Sequence, residues 1–170
     1  MTAVNVFRAM NFALRVHEGQ KRKYTGCPYS NHLAEVAGIV AASQIRGIDL
    51  DTAVAVAWLH DCVEDQGVTK DLLDTAFGTD VSWGVMLLSD LETGNRATRK
   101  ALSLVRLAAS PGWVQTIKCA DLISNTSSIR QHDPKFAVTY LEEKRLMLDV
   151  LTGADKRLVQ LARRQIDGVA

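Results

Sequence analysis

Residues 53–59 read AVAVAWL, a run apolar on every face of a helix, so whatever this chain folds into must surround that segment on all sides. His60 and Asp61 follow directly, within the longer stretch AVAVAWLHDCVED. The spacing predicts one buried central helix carrying both. An imidazole and a carboxylate placed there lose their hydration together, and a metal ion is the most economical replacement for it. A second such pair, His132-Asp133, is followed by Pro134. Asp133 therefore reads as an N-cap with proline at the first helical position, and this pair as a helix start.

The rest of the chain supplies helices to wrap the central one. Val4, Phe7, Met10 or Asn11, and Leu14 recur at helical spacing, with a stop at Gly19. A second helix is expected from Asn31 to Arg46, closed by Gly47, and Asp49 or Asp51 then caps the central helix. Thr69 caps a short helix through Leu72, Leu73 and Phe77 that ends at Gly78, and Thr79 opens another with Val81, Val85 and Leu88 on one side. Further helices are expected over 95–109, after Ser110-Pro111, over 134–151 and over 154–167, the last two separated by Thr152-Gly153. Almost nothing alternates with period two, and no repeat, low-complexity tract or linker interrupts the pattern. The expected fold is all-α, a single compact multi-helix bundle spanning residues 1–170 as one domain.

Composition narrows the partners. A hydrophobic fraction of 47% in 170 residues allows a sizeable core, while a formal net charge of +1 marks no surface for nucleic acid or membrane. No span approaches bilayer length, and the start MTAVNVFRAMNFALRV is broken by Asn5, Arg8, Asn11 and Arg15, so it reads as an amphipathic helix rather than a leader. The three cysteines, Cys27, Cys62 and Cys119, show no CxxC spacing and fit reduced thiols, which points to a cytoplasmic location. Cys62 and Cys119 read as small core residues. Amphipathic helices serve a core or a partner equally well, so a homo-oligomer stays open.

Ligands to complete a metal site are few. The only histidines are His17, His32, His60 and His132. His32 stands at the start of the second helix, and Asp121 lies mid-helix in the otherwise apolar IKCADLISN, where Val114, Ile117, Asp121 and Ser124 or Asn125 share a face. Taken singly, His32 is a helix N-terminal residue bonded to backbone, and Asp121 is a salt-bridge partner for Lys118 or Arg130. Taken with His60-Asp61 they supply two nitrogens and two oxygens from three helices, the ligand mix of a Mn, Fe, Co, Ni or Zn site. His17 and His132 are poorly placed for a second metal.

The order HEGQKRKYTGCPYSNH, AVAVAWLHDCVED, AFGTDV and IKCADLISN resembles the HD-domain phosphohydrolases of the RelA/SpoT hydrolase type, in particular the small stand-alone alarmone hydrolases. The match runs from Phe7 to Tyr140. HD alone is a weak signal, whereas HxGQ-x-RK, PYxxH, HDxxED and AD(x3)N in this order are hard to meet by chance. The resemblance implies that His32, His60, Asp61 and Asp121 hold one divalent metal ion, usually Mn²⁺. It also implies removal of the 3′-pyrophosphate from guanosine tetra- or pentaphosphate (ppGpp or pppGpp), giving GDP or GTP. A chain of this length has no room for a synthetase region, so it is expected to degrade the nucleotide and not make it.

On a continuous helix Glu64 follows His60, and Asp65 follows Asp61, by four residues, which puts both carboxylates one turn above the metal ligands. Four protein ligands on a six-coordinate ion leave two positions, for water and a phosphate oxygen. Glu64 and Asp65 are then the catalytic pair that orients or deprotonates the water, one of them protonating the departing 3′-oxygen. The plainer alternative is a solvated acidic helix end.

The anionic small-molecule nucleotide also needs cations. Arg22 and Lys23 match the family's RK pair, a forking guanidinium beside a point charge. Asn125, one turn beyond Asp121, is placed to bond ribose or phosphate. Tyr140 matches a position whose ring lines the nucleotide pocket, although a core tyrosine on a Phe136-Tyr140 stripe explains it equally well. Arg96, Arg99 and Lys100 form a second basic group that meets distal phosphates or is merely exposed. Ser127 stands where relatives commonly carry arginine, Ser89-Asp90-Leu91 where they read threonine and two aspartates, and Gln66 where they carry threonine. None of these removes a ligand or the Glu-Asp pair, so they bear on which nucleotide is bound. Three readings follow: a (p)ppGpp 3′-pyrophosphohydrolase, an HD phosphohydrolase for an adenine alarmone or a 2′- or 3′-phosphorylated nucleotide, and a non-catalytic nucleotide-binding module. An intact Glu-Asp pair favours the first two.

Overall fold

The computed structural model describes residues 5–168, so Val4 and the outermost ends of the expected 1–170 domain lie outside the described residues. Eleven helices follow one another among the described residues: α1 (Val6–Val16), α2 (Ser30–Ala41), α3 (Leu50–Leu59), α4 (Cys62–Gln66), α5 (Lys70–Phe77), α6 (Thr79–Leu88), α7 (Arg96–Ala109), α8 (Gly112–Thr126), α9 (Ile129–His132), α10 (Pro134–Val150) and α11 (Lys156–Asp167). Among the described residues there is no strand, only an isolated antiparallel bridge between Lys21 and Pro28. The all-α expectation holds.

The apolar run lies where its composition requires. Ala53, Ala55, Val56, Ala57 and Leu59 are fully buried, and α3 is enclosed by α1, α2, α6 and α8. Removing a leucine such as Leu59 from water contributes about 2 kcal/mol. A second apolar cluster joins α7, α9, α10 and α11. Helix α8 belongs to both, with Val114, Ile117 and Ala120 in the first and Cys119, Leu122 and Ile123 in the second. Any polar side chain on α8 is therefore held between two packed layers, and Asp121 is one of them.

Short-range capping places most helix starts as the sequence suggests. Asp49, Thr69, Asn95 and Asp133 accept from the backbone N–H groups of Thr52, Leu72, Thr98 and Phe136. Asp133 is thus a cap and not a ligand. Cys62 and Cys119 are buried and Cys27 is exposed, all three unpaired.

Four expectations need correction. Helix α2 stops at Ala41 rather than Arg46, because the Gln44 N–H is taken at 2.8 Å by Asp155 from the loop before α11. Helix α1 turns Ala9 and Ala13 inward while Phe7 is 67% exposed, since small side chains let it approach α3 closely. The unforeseen α9 fills the turn before α10. Most consequential, the helix does not run through the dyad: α3 ends at Leu59, α4 starts at Cys62, and Asp61 has φ −99° and ψ −4°.

Candidate metal centre

That break turns His60 and Asp61 toward one point. His32, on the first turn of α2, and Asp121, in the middle of α8, reach the same point, and both are buried. His60 Nε2 lies 2.9 Å from Asp61 Oδ2, 3.3 Å from His32 Nε2 and 3.8 Å from Asp121 Oδ1. His32 Nε2 lies 3.4 Å from both Asp61 Oδ2 and Asp121 Oδ1. Donors at 2.0–2.2 Å from one ion stand about 3.0 Å apart at octahedral and about 3.4 Å apart at tetrahedral angles. The measured spacings bracket those edges.

Hydrogen bonding on the far side of each ring decides which nitrogen offers a lone pair. His60 Nδ1 faces the Ala57 carbonyl at 2.8 Å, and a carbonyl can only accept, so Nδ1 carries the proton. His32 Nδ1 lies 2.8 Å from Ser124 Oγ, whose own proton goes to Glu35 Oε2 at 2.5 Å. Ser124 must therefore accept from His32. In that tautomer both Nε2 atoms turn their lone pairs to the same point beside two carboxylates, a donor set suited to a cation. The residues present fit a divalent metal ion.

Electrostatics in the protein alone point the same way. Burial opposes charge on His60, but Asp61 and Asp121 outweigh it and hold the imidazolium up to about 10. His32 is raised in the same manner, its burial overcome by hydrogen bonds to Asp121 and Asp61. Burial also works against the Asp61 and Asp121 carboxylates, yet His60 for the one and Lys118 for the other keep them well below the usual range. Lys118 Nζ contacts Asp121 Oδ2 at 2.9 Å, so the plain salt-bridge reading of Asp121 is also true, through its other oxygen. The Nε2 protons are the ones that a bound divalent ion would replace.

Glu64 and Asp65 sit beside the cluster, but the break removes the stacking expected of a continuous helix. Glu64 Oε2 accepts from the Asp90 N–H at 2.8 Å, and desolvation pushes its carboxyl up against that bond. Asp65 Oδ2 accepts from Gln20 Nε2 at 2.8 Å. Gln20 Oε1 in turn meets His17 Nδ1 at 2.6 Å and Gln66 Nε2 at 2.5 Å. Each carboxylate is thus aimed by a residue outside its own helix.

A cavity of about 250 Å³ opens next to the cluster, lined by Arg22, Lys23, Tyr24, Tyr29, Asn125 and Tyr140 among others. It gathers all four expected substrate residues. Two of its residues tie it to the ligands: Asn125 Nδ2 donates to Asp121 Oδ1 at 2.6 Å, and the Tyr29 hydroxyl donates to Asp61 Oδ2. Arg22 also braces the site, donating to Glu35 at 3.0 Å and to the Ser124 carbonyl at 3.0 Å. Lys23 lies over the Tyr24 ring at 5.0 Å. The second basic group is already engaged in part. Arg96 forks onto both Glu143 oxygens at 2.7 Å, and Lys100 pairs with Asp90 at 3.2 Å. A larger cavity, about 430 Å³ between Arg46, Trp113 and Lys156, shares no residue with the cluster.

The sequence singles out no role for Tyr29, Glu35 or Gln20, and for Ser124 only a place on the Asp121 face. Tyr29 and Gln20 lie inside the PYSNH and HEGQ strings, but letters alone do not show which distant group a side chain reaches.

The model of the HD-domain family matches residues 9–135. This chain belongs to that family. The HD domain is 32% identical over 134 residues to human "Guanosine-3′,5′-bis(diphosphate) 3′-pyrophosphohydrolase MESH1", covering 78% of this chain and 74% of the relative. It is 31% identical over 134 residues to the Xenopus tropicalis protein of the same name, with the same coverage. A "Probable GTP pyrophosphokinase" of Mycobacterium leprae is 35% identical over 134 residues, but the match spans only 16% of that longer protein. Among solved structures, one described as a metazoan ortholog of SpoT that hydrolyzes ppGpp superposes with TM-score 0.85 at 24% identity, covering 96% of this chain and 94% of the other. That likeness establishes the all-α HD fold over almost the whole chain. No helix among the described residues is long and apolar enough to cross a membrane.

Proposed function

We propose that this HD-domain protein is a metal-dependent guanosine 3′,5′-bis(diphosphate) 3′-pyrophosphohydrolase, converting ppGpp or pppGpp to GDP or GTP and pyrophosphate. The observation that carries the reading is the convergence of the two imidazole lone pairs and two carboxylates beside Glu64 and Asp65. Its relationship to MESH1 proteins named for this reaction supports the choice of substrate.

In this reading His32, His60, Asp61 and Asp121 hold one divalent ion, Mn²⁺ by family resemblance. When bound, the ion supplies Lewis-acid polarisation of a phosphate oxygen and acidifies water. Water attacks the phosphorus attached to the ribose 3′-oxygen, the P–O3′ bond breaks, and pyrophosphate leaves. Glu64, whose carboxyl is raised toward a useful basicity, takes the proton of the attacking water, and Asp65 orients that water. The 3′-oxygen receives one proton in exchange. Tyr140 and Asn125 receive the nucleoside in the adjoining cavity, and Arg22 and Lys23 offer positive charge at its wall. The compartment that suits three free thiols and a nucleotide substrate is the cytoplasm.

The test is to incubate manganese-loaded protein with a nucleotide panel and to separate released pyrophosphate from orthophosphate. Pyrophosphate from ppGpp, lost on chelation and restored by Mn²⁺, is the expected result. Orthophosphate alone, or turnover only of an adenine alarmone or a 2′- or 3′-monophosphorylated nucleotide, would overturn the substrate assignment. Unchanged turnover in Glu64→Ala would overturn the role of Glu64.

A further inference from the structure

Lys144 on α10 is half-buried and, among the described residues, has no carboxylate partner; its ammonium lies over the Tyr140 ring, 4.9 Å from the centre. The charges that act on it come from three directions: Lys118 and Asp121 of α8, Lys100 of α7, and Asp90 between α6 and α7. Those four are already paired with one another, Lys118 with Asp121 at 2.9 Å and Lys100 with Asp90 at 3.2 Å. Neighbouring Glu143 is taken by Arg96. Of these three ammoniums, Lys144 is the one with no carboxylate at salt-bridge distance among the described residues.

The cost of that arrangement is visible. Burial, with the like charge of Lys118, pushes the Lys144 ammonium down to about 8. A cation held out of water without a counter-charge is stabilised when an anion arrives. Its position says which anion. Tyr140, beneath it, lines the nucleotide cavity; Asp121 belongs to the metal cluster; and the Asp90 amide holds Glu64. Lys144 therefore stands against a ring that lines the nucleotide cavity and within electrostatic reach of Asp121 and Asp90.

We infer that Lys144 is a diphosphate-binding residue, its ammonium receiving a non-bridging oxygen of the substrate's 3′-diphosphate and of the pyrophosphate released. The inference rests on the proposed reaction, in which a diphosphate crosses this position, and it adds a contact that the EEKR context of Lys144 does not signal. Arginine at this position keeps the charge, whereas glutamine removes it and keeps much of the stem.

The experiment uses inorganic pyrophosphate as the probe on the full, manganese-loaded chain. Calorimetric titration of Lys144→Gln is expected to show pyrophosphate binding weakened about tenfold, with Lys144→Arg recovering most of it. Acylation of the wild-type chain at pH 8 followed by mass spectrometry is expected to label Lys144 rapidly and to be suppressed by pyrophosphate, which decides the matter even if Lys144→Gln fails to fold. Equal affinity in Lys144→Gln and wild type, no binding by wild type, or labelling indifferent to pyrophosphate each overturns the inference. Protection of Lys144 in a protein that does not hydrolyse ppGpp keeps this inference and overturns the proposed reaction. Hydrolysis of ppGpp with Lys144 unprotected does the reverse.

Discussion

Tyr29 donates its hydroxyl to Asp61 Oδ2 at 2.6 Å, onto the same oxygen that lies 2.9 Å from His60 Nε2 and 3.4 Å from His32 Nε2. Burial, reinforced by the Asp61 charge, raises the phenol far above its ordinary value, so it remains a donor at every working pH. The bond fixes which way the carboxylate faces. Tyr29→Phe keeps the ring stacked on His17 and removes only that bond. Metal affinity is expected to fall about 10- to 100-fold, as when other partners that orient metal ligands are lost. Manganese titration followed by calorimetry measures it, and an unchanged dissociation constant would refute the role.

The second relationship is between Gln20 and Asp65. Gln20→Glu puts a carboxylate where the amide now donates, so Asp65 should swing away. We expect kcat to drop about 10- to 100-fold while KM changes little. A double-mutant cycle with Asp65→Asn checks the route, because two substitutions acting through one contact are not additive. Additive losses would mean that Gln20 acts elsewhere.

Stability has its own sharp point at Gly84 on α6. A Cβ there would come 2.5 Å from Trp113 Cη2, 2.9 Å from Cζ3 and 3.0 Å from Val56 Cγ2. All three atoms belong to the packed core around α3 and α8. Gly84→Ala gains up to about 1 kcal/mol of helix propensity but overpacks that contact by about 1–3 kcal/mol. The expected net result is destabilisation by about 1–2 kcal/mol, read from urea midpoints. A more stable variant would show that Trp113 can move aside.

What the sequence reveals and what it hides follow from the range of each interaction. The caps at Asp49, Thr69, Asn95 and Asp133 act within three residues, so their signals are local and legible. The four candidate ligands, His32, His60, Asp61 and Asp121, stand out as motif letters, because few residue types suit a metal site. The end of α2 does not stand out, since it depends on Asp155 bonding Gln44 across 111 residues of chain. The break after Leu59 was also hidden: apolar periodicity continues through Cys62, and only the burial of His60 and Asp61 at one centre favours two helices over one. The four-residue repeat that sets Glu64 and Asp65 above the dyad on a continuous helix therefore does not apply. Asp90 and Gln20, not the helical repeat, aim them.

Asp90 also gives the fold a dependence on pH that can be separated from catalysis. Its Oδ1 accepts from Arg106 at 2.7 Å and from Ser103 at 2.8 Å, and its Oδ2 pairs with Lys100. Burial opposes the charge, but Lys118, Lys100 and the Ser103 hydroxyl outweigh it and hold the carboxyl well below the usual carboxylate range. Unfolded, the same group titrates near its ordinary value, about 3.9. The folded state thus binds fewer protons, and the stabilisation is complete above about pH 5 and is lost as pH falls through the depressed folded value. Asp90→Asn should destabilise by about 2 kcal/mol at pH 7, the scale of hydrogen bonds to a charged group. That difference should shrink as the wild type is acidified below the unfolded value, while the variant changes only through the groups both proteins share. Urea unfolding of both metal-free proteins at pH 7 and pH 3 measures the two gaps. Equal gaps would mean that the Asp90 carboxylate adds nothing to the pH dependence, and no gap at pH 7 would mean that a neutral amide serves Arg106 and Lys100 as well as the charge does.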